Sequence, residues 1–218
     1  MQKIILASQS PRRRELVNIL KIPFDIYPSR IDEIVDSAVS PNYLVELLAK
    51  QKCLAVAKHY PEGIVIGADS IVSIDEGILG KPADKEDAKS MLRILRGRWH
   101  CIITGVAVLE ISSNLLLSNV ITTKIKMRNY SEQEIIDYIE KENPFDRAGS
   151  YGLQESGIRL VETVDGCYSN ALGLPMCEVI RMLQVYNVYI TSPEINTICL
   201  VPMEFNLVQT QSRNCCQI

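Results

Sequence analysis

Asp69 lies inside the most apolar stretch of the chain, Gly63-Ile64-Val65-Ile66-Gly67-Ala68-Asp69-Ser70-Ile71-Val72. A carboxylate in such a run needs a counter-charge, a metal or a reaction to serve. Lys52 raises the same question with the opposite sign. It falls on an apolar stripe in which Leu44, Leu47, Leu48, Ala55 and Val56 recur at spacings of three or four. A lysine aimed at a core either snorkels or meets an anion. A third oddity is the run Ser8-Gln9-Ser10-Pro11-Arg12-Arg13-Arg14. It reads as a polar turn leading into a helix that starts at a proline. Cations in a first turn oppose the helix dipole. Backbone N–H groups, two Ser hydroxyls and guanidinium forks together suit phosphate. The same residues also read as a solvated basic turn, with Ser10 as a plain N-cap and Pro11 at N1.

Further along, Glu33 stands in a polar loop, Lys81 in Gly80-Lys81-Pro82 near a hairpin, and Asp146, Arg147 and Gln154 in a dense polar loop. Taken singly, each has a plainer reading as a solvated loop residue. Taken together, the cations fit a polyphosphate, and the acids fit a divalent cation and a water-activating base. Hydrolysis of a phosphoanhydride needs this mixture, because charge on phosphate must be neutralised while water is oriented and deprotonated. No Walker A motif is present, and no GxGxxG follows the first strand. The two histidines, His59 and His100, lie in no nucleophile motif and read as structural or surface residues.

The elements that must carry these residues alternate between strand and helix patterns. Strands are expected at 3–7, 24–27, 63–72, 99–110, 115–127 and 158–164. Helices are expected at 11–21, from 41 to beyond 56, at 84–96, from 131, and from 175 to about 186. Ser40-Pro41 marks one start, and Ser131 with Glu134 forms a capping box at another. Asp75-Glu76-Gly77 makes a turn that returns through Ile78-Leu79. The near-continuous apolar run at 63–72 indicates a strand covered on both faces. The fold class expected is therefore α/β.

Composition narrows the alternatives. The 218 residues are 47% hydrophobic and 22% charged, an ordinary globular balance with enough length for a sizeable core. A net charge of -3 means that any anion site is a local cluster and argues against nucleic acid as partner. Seven cysteines, an odd number with no CxxC pair, argue against a disulfide framework or a zinc site and for a reducing compartment. Residues 4–7 are too short for the apolar core of a signal peptide, and no apolar run reaches spanning length. A cytoplasmic location without a membrane partner is expected. The pattern fades beyond Tyr189, so one domain is expected over 1–190, followed by a loosely held tail at 191–218.

Several motifs then agree with one family. Ala7-Ser8-Gln9-Ser10-Pro11-Arg12-Arg13, Gly67-Ala68-Asp69-Ser70, Gly80-Lys81-Pro82, Thr104-Gly105-Val106, Ala148-Gly149-Ser150-Tyr151-Gly152-Leu153-Gln154 and Gly173-Leu174-Pro175 resemble the Maf family, in order and at family spacing. That resemblance covers about residues 3–185. It implies an α/β fold like that of the inosine triphosphate pyrophosphatases: a mixed twisted sheet, flanking helices and two lobes around a cleft, with a homodimer as the assembly. It also implies hydrolysis of a nucleoside triphosphate to the monophosphate and pyrophosphate, with Mg²⁺ or Mn²⁺.

By the same resemblance Asp69 is the proton acceptor and a metal ligand. Ser8, Arg13, Lys52 and Lys81 are the phosphate-binding set, and Glu33 is a metal or water partner. The branch acting on dTTP and UTP carries Arg, Thr and Gln where this chain has Arg12, Ser70 and Gln154. The branch acting on 7-methyl-GTP carries Trp, Gln and Glu there. The chain therefore leans to the dTTP/UTP type, with Ser70 keeping the hydroxyl and dropping a methyl. Two departures bear on substrate preference: Asn143-Pro144-Phe145-Asp146-Arg147 stands for Glu-Pro-x-Asp-Lys, and Glu155 for a common Gly. A pyrophosphatase for modified or 7-methyl-GTP-type nucleotides and a nucleotide-binding regulator of cell division with little turnover are the competing readings.

Overall fold

A computed structural model gives the fold, and the structure describes residues 2–31, 39–75, 77–153 and 157–192. The elements run β1 (Ile4–Leu6), α1 (Pro11–Asn18), β2 (Phe24–Ile26), α2 (Pro41–Ala57), β3 (Ile64–Ile74), β4 (Gly77–Leu79), α3 (Lys85–Leu95), β5 (Trp99–Glu110), β6 (Leu115–Met127), α4 (Glu132–Glu142), β7 (Val161–Asp165), α5 (Tyr168–Ala171) and α6 (Met176–Val185). Two short 3-10 turns, Pro144–Asp146 and Ala148–Ser150, join α4 to the segment before β7.

The starts of the helices follow their sequences. The hydroxyls of Ser10, Ser40 and Ser131 and the carboxylate of Asp84 each accept a backbone N–H three residues on. Ser131 and Glu134 form the reciprocal capping box. Gly97, just past α3, takes φ +67, a conformation that ends helices and suits glycine.

The strands form one mixed sheet in the order β2-β1-β3-β5-β6-β7, with β4 also on β3. β1 and β2 run parallel, as do β1 and β3, and the remaining pairs are antiparallel. The α/β expectation with a mixed sheet holds.

Helix α2 covers one face. Ala49, Cys53 and Val56 pack there on Ile5, Ala7, Val65, Ala107 and Leu109. The larger core fills the other face, where Ile64, Ile66, Ala68 and Val72 of β3 meet side chains of α1, α3, α4 and α6. β3 is thus buried on both faces, which is why it reads as a continuous apolar run. No helix among the described residues is long and apolar enough to cross a membrane.

One feature of the topology makes the cleft. β5 pairs with β3 along Ile64 to Ser73. On the opposite edge β1 pairs only with Ile64, Val65 and Ile66, and β4 only with Val72, Ser73 and Ile74. Among the described residues, 67–71 of β3 therefore have no strand beside them on that edge. Both faces of β3 are reachable through this gap.

Candidate active site

A cleft of about 320 Å³ opens at the gap. Its wall takes Ser10, Arg12 and Arg13 from the start of α1, Leu44, Leu48 and Lys52 from α2, and Asp69, Ser70, Ile71 and Val72 from β3. Lys81 follows β4, and Asp146 to Ala148, Tyr151 to Leu153 and Ala171 to Gly173 close the far side.

Asp69 and Ser70 are neighbours on β3, so strand alternation sends them to opposite faces. Asp69 points to the α2 side, where Lys52 Nζ lies 2.6 Å from its Oδ1. Both side chains are buried, at 7% and 9% exposure. The contact depends on two glycines. A β-carbon on Gly67 would stand 2.6 Å from the Ala49 carbonyl oxygen, and one on Gly105 would stand 2.2 Å from that of Val45. Gly105 is the cross-strand partner of Asp69 on β5. Helix α2 lies on the sheet closely enough for Lys52 to reach Asp69 because both positions lack a side chain. Removing either partner from such a pair leaves a buried charge and costs about 3–5 kcal/mol.

On the other face, Arg13 is a brace. Its Nε donates to the Gly173 carbonyl at 2.8 Å, Nη1 to the Ala68 carbonyl at 2.8 Å, and Nη2 to Ser70 Oγ at 3.0 Å. Ala68 lies on the open stretch of β3, so a guanidinium occupies part of the place a strand would take. Ser70 Oγ also shares a hydrogen bond with Thr104 Oγ1 at 2.9 Å. Ser8 folds back on the turn, accepting the Ser10 N–H at 3.2 Å and Arg13 Nη1 at 3.5 Å. It stands behind the cleft wall rather than on it.

The segment 144–153 shapes the outer wall. The Gly149 N–H reaches the Gly80 carbonyl at 2.9 Å, tying this segment to the loop that carries the exposed Lys81. The Gly152 N–H donates to Tyr138 Oη at 3.0 Å. Asp146 is exposed, and its Oδ1 lies 3.7 Å from Arg147 Nε. Buried Tyr151 meets His100, with Oη 2.5 Å from Nε2.

Among the described residues no cysteine or histidine stands on the cleft wall. Burial between α2 and the sheet pushes the Cys53 thiol up to about 12, and burial pushes His100 down to about 3. Among the described residues the carboxylates on the cleft wall are Asp69 and Asp146, and no group of three His, Cys, Asp or Glu could hold a metal ion. Mg²⁺ is commonly bound through one or two carboxylates plus substrate phosphates rather than by an all-protein cage. Asp69, whose Oδ2 makes no hydrogen bond among the described residues, fits that mode.

The structure thus brings Arg12, Arg13, Lys52, Asp69, Ser70 and Lys81 to one cleft, with Ser8 just behind it. Glu33, Gln154 and residues 193–218 lie outside the described residues. Sequence reasoning missed the Gly173 carbonyl, Tyr138 and the His100–Tyr151 contact. A signal for His100 was present: β5 alternates His100, Ile102, Thr104, Val106 and Val108 on one face, so His100 points inward with the core.

Fold and cleft define an α/β protein with a cation-lined site around a buried carboxylate. The Maf family model, described as Maf-like protein, matches residues 3–186, and the chain belongs to that family. A dTTP/UTP pyrophosphatase of Geobacillus sp. (strain WCH70) is 43% identical over 181 residues, covering 83% of this chain and 96% of that protein. The protein of that name from Bacillus velezensis is 43% identical over 187 residues, covering 86% and 98%. The one from Clostridioides difficile (strain 630) is 41% identical over 183 residues, covering 84% and 94%. Among solved structures, the Staphylococcus aureus Ham1 protein aligns with a TM-score of 0.49 and 14% identity, over 85% of this chain and 98% of that one.

Proposed function

We propose that this Maf-family protein hydrolyses nucleoside triphosphates to the monophosphate and pyrophosphate, with dTTP and UTP preferred. The observation that carries the reading is the buried Lys52–Asp69 pair on the wall of a cleft shared with Arg12, Arg13 and Lys81. One P–O bond between the α- and β-phosphates breaks, and one forms to the oxygen of water. The proton of that water passes to Asp69. Lys52 and Lys81 neutralise the phosphates, and Arg13 and Ser8 hold the turn at their back. Mg²⁺ or Mn²⁺, held by Asp69 and Glu33 together with the phosphates, would stabilise charge on the leaving pyrophosphate.

The base preference is supported by relatives at about 40% identity that carry the dTTP/UTP name. Arg12 and Ser70 on the cleft wall support it too, and Gln154 completes the proposed base-reading set. Residues 1–190 act as one domain with 191–218 as an appended tail, and the enzyme works as a cytoplasmic homodimer. The test is pyrophosphate release from a panel of nucleoside triphosphates with Mg²⁺ or Mn²⁺. Turnover highest with dTTP and UTP is expected. No release from any triphosphate would defeat the enzyme reading, and faster turnover of a purine triphosphate would defeat the pyrimidine preference.

A further inference from the structure

Within the wall segment 147–153, Ser150 is held in a conformation its own backbone resists. Gly149 and Ser150 take φ +68 and φ +61 in succession. For a serine the left-handed region costs about 1–2 kcal/mol, and such strain persists only where the surroundings over-determine it. The surroundings here are specific. Gly149 is tied to the Gly80 carbonyl and Gly152 to Tyr138 Oη. Between those ties stands Tyr151, which lines the cleft and is 4% exposed.

Its hydroxyl meets His100 Nε2 at 2.5 Å, with the two rings edge to face at 88°. His100 is 3% exposed, and its Nδ1 has no hydrogen-bond partner among the described residues. An imidazole left half unsatisfied inside an apolar face carries a desolvation cost that a leucine would avoid. The group that repays this cost is the Tyr151 hydroxyl, since it is what the other nitrogen holds.

We propose that His100 is a positioning residue for the nucleotide cleft: through the Tyr151 hydroxyl it fixes the 147–153 wall in the shape that receives substrate. The inference rests on the pyrophosphatase reading above. Burial keeps the imidazole neutral, so it performs this task without adding charge beside the phosphate-binding cations. Its effect reaches the substrate through Arg147, Gly152 and Leu153, which share the cleft wall with Tyr151. Loosening that wall weakens binding of ground state and transition state alike, and this appears in KM rather than kcat.

The experiment compares wild type, Tyr151→Phe, His100→Leu and His100→Gln in steady-state pyrophosphate release from dTTP, with Tm read beside it. Tyr151→Phe removes one oxygen and keeps the packed ring, so it tests the contact even where His100→Leu fails to fold. KM is expected to rise about 5- to 10-fold in Tyr151→Phe, with kcat within about twofold of wild type. His100→Gln, which can still bond the hydroxyl, is expected to keep KM within about threefold of wild type. An unchanged KM in Tyr151→Phe overturns the proposal. A fall in kcat and Tm together at constant KM also overturns it, because that is what a purely structural contact produces. Failure of the pyrophosphatase reading looks different, as wild type itself then releases nothing. In that case calorimetric Kd values for dTTP decide: weaker binding by Tyr151→Phe supports the proposal, and equal binding overturns it.

Discussion

Gly105 stands directly opposite Asp69 across the β3–β5 ladder, and helix α2 passes so close over it that a β-carbon there would lie 2.2 Å from the Val45 carbonyl oxygen. The glycine therefore sets the height of α2, and the height of α2 sets whether Lys52 reaches Asp69. Gly105→Ala is expected to lift the helix, destabilise the fold by about 1–3 kcal/mol, and reduce turnover more than the folded fraction accounts for. Denaturant unfolding and pyrophosphate release on the same preparation check this. Wild-type kcat in the folded fraction would show that the Lys52–Asp69 contact tolerates a shifted helix.

The pair itself separates stability from chemistry. Lys52→Met leaves the Asp69 carboxylate buried without its counter-charge and is expected to cost about 3–5 kcal/mol. Asp69→Asn is expected to lose at least about 100-fold in kcat if it removes a general base, while still binding nucleotide. The double variant Lys52→Met, Asp69→Leu replaces the ion pair with apolar groups, so it is expected to regain much of the lost stability and none of the activity. Chemical denaturation and single-turnover assays on the three variants read both effects. Near-wild-type turnover in Asp69→Asn would move the base role to Glu33.

Arg13→Lys distinguishes a brace from a point charge. The guanidinium reaches four acceptors: the carbonyls of Gly173 and Ala68 and the hydroxyls of Ser70 and Ser8. A lysine keeps the charge but cannot present that fork. The lysine variant is expected to behave almost like Arg13→Ala, with a KM for dTTP raised about tenfold and a lower Tm. Retention of wild-type KM by the lysine variant would mean that charge alone is what the site uses.

Asp69 and Lys52 could be picked out because each breaks a strong apolar pattern, one in a strand and one on a helical stripe. Their union could not be read that way. It depends on Gly67 and Gly105 admitting α2 to the sheet, and neither glycine signals a helix above it. Arg13 shows a different limit. Its place at a helix start suggests an anion, but its acceptors on β3 and beside Gly173 lie 55, 57 and 160 residues further along the chain. The long strands β5 and β6 match their sequence bounds because their β-type runs extend for 12 and 13 residues. α5, at four residues, is too short to show any period and was invisible. β7 begins at Val161 rather than 158, and its ladder with β6 is irregular at that end, with a register shift between Lys126 and Met127.

Gln154 offers the sharpest test of base preference. A carboxamide presents one donor and one acceptor, and the edge of thymine or uracil presents both complements. Glutamate, ionised at neutral pH, only accepts. If Gln154 reads the base as proposed, Gln154→Glu loses the donor and sets a charge against the carbonyl oxygens of the pyrimidine. The ratio of kcat/KM for dTTP to that for GTP is expected to fall about tenfold or more, because a site built to pair a polar edge discriminates strongly once that pairing is spoiled. Tm is expected to stay near wild type, which keeps the effect on recognition apart from folding. Competition between dTTP and GTP in one reaction, resolved by chromatography of the two monophosphates, measures the ratio directly. An unchanged ratio would take Gln154 out of the base-reading set and leave Arg12 and Ser70 to carry the preference.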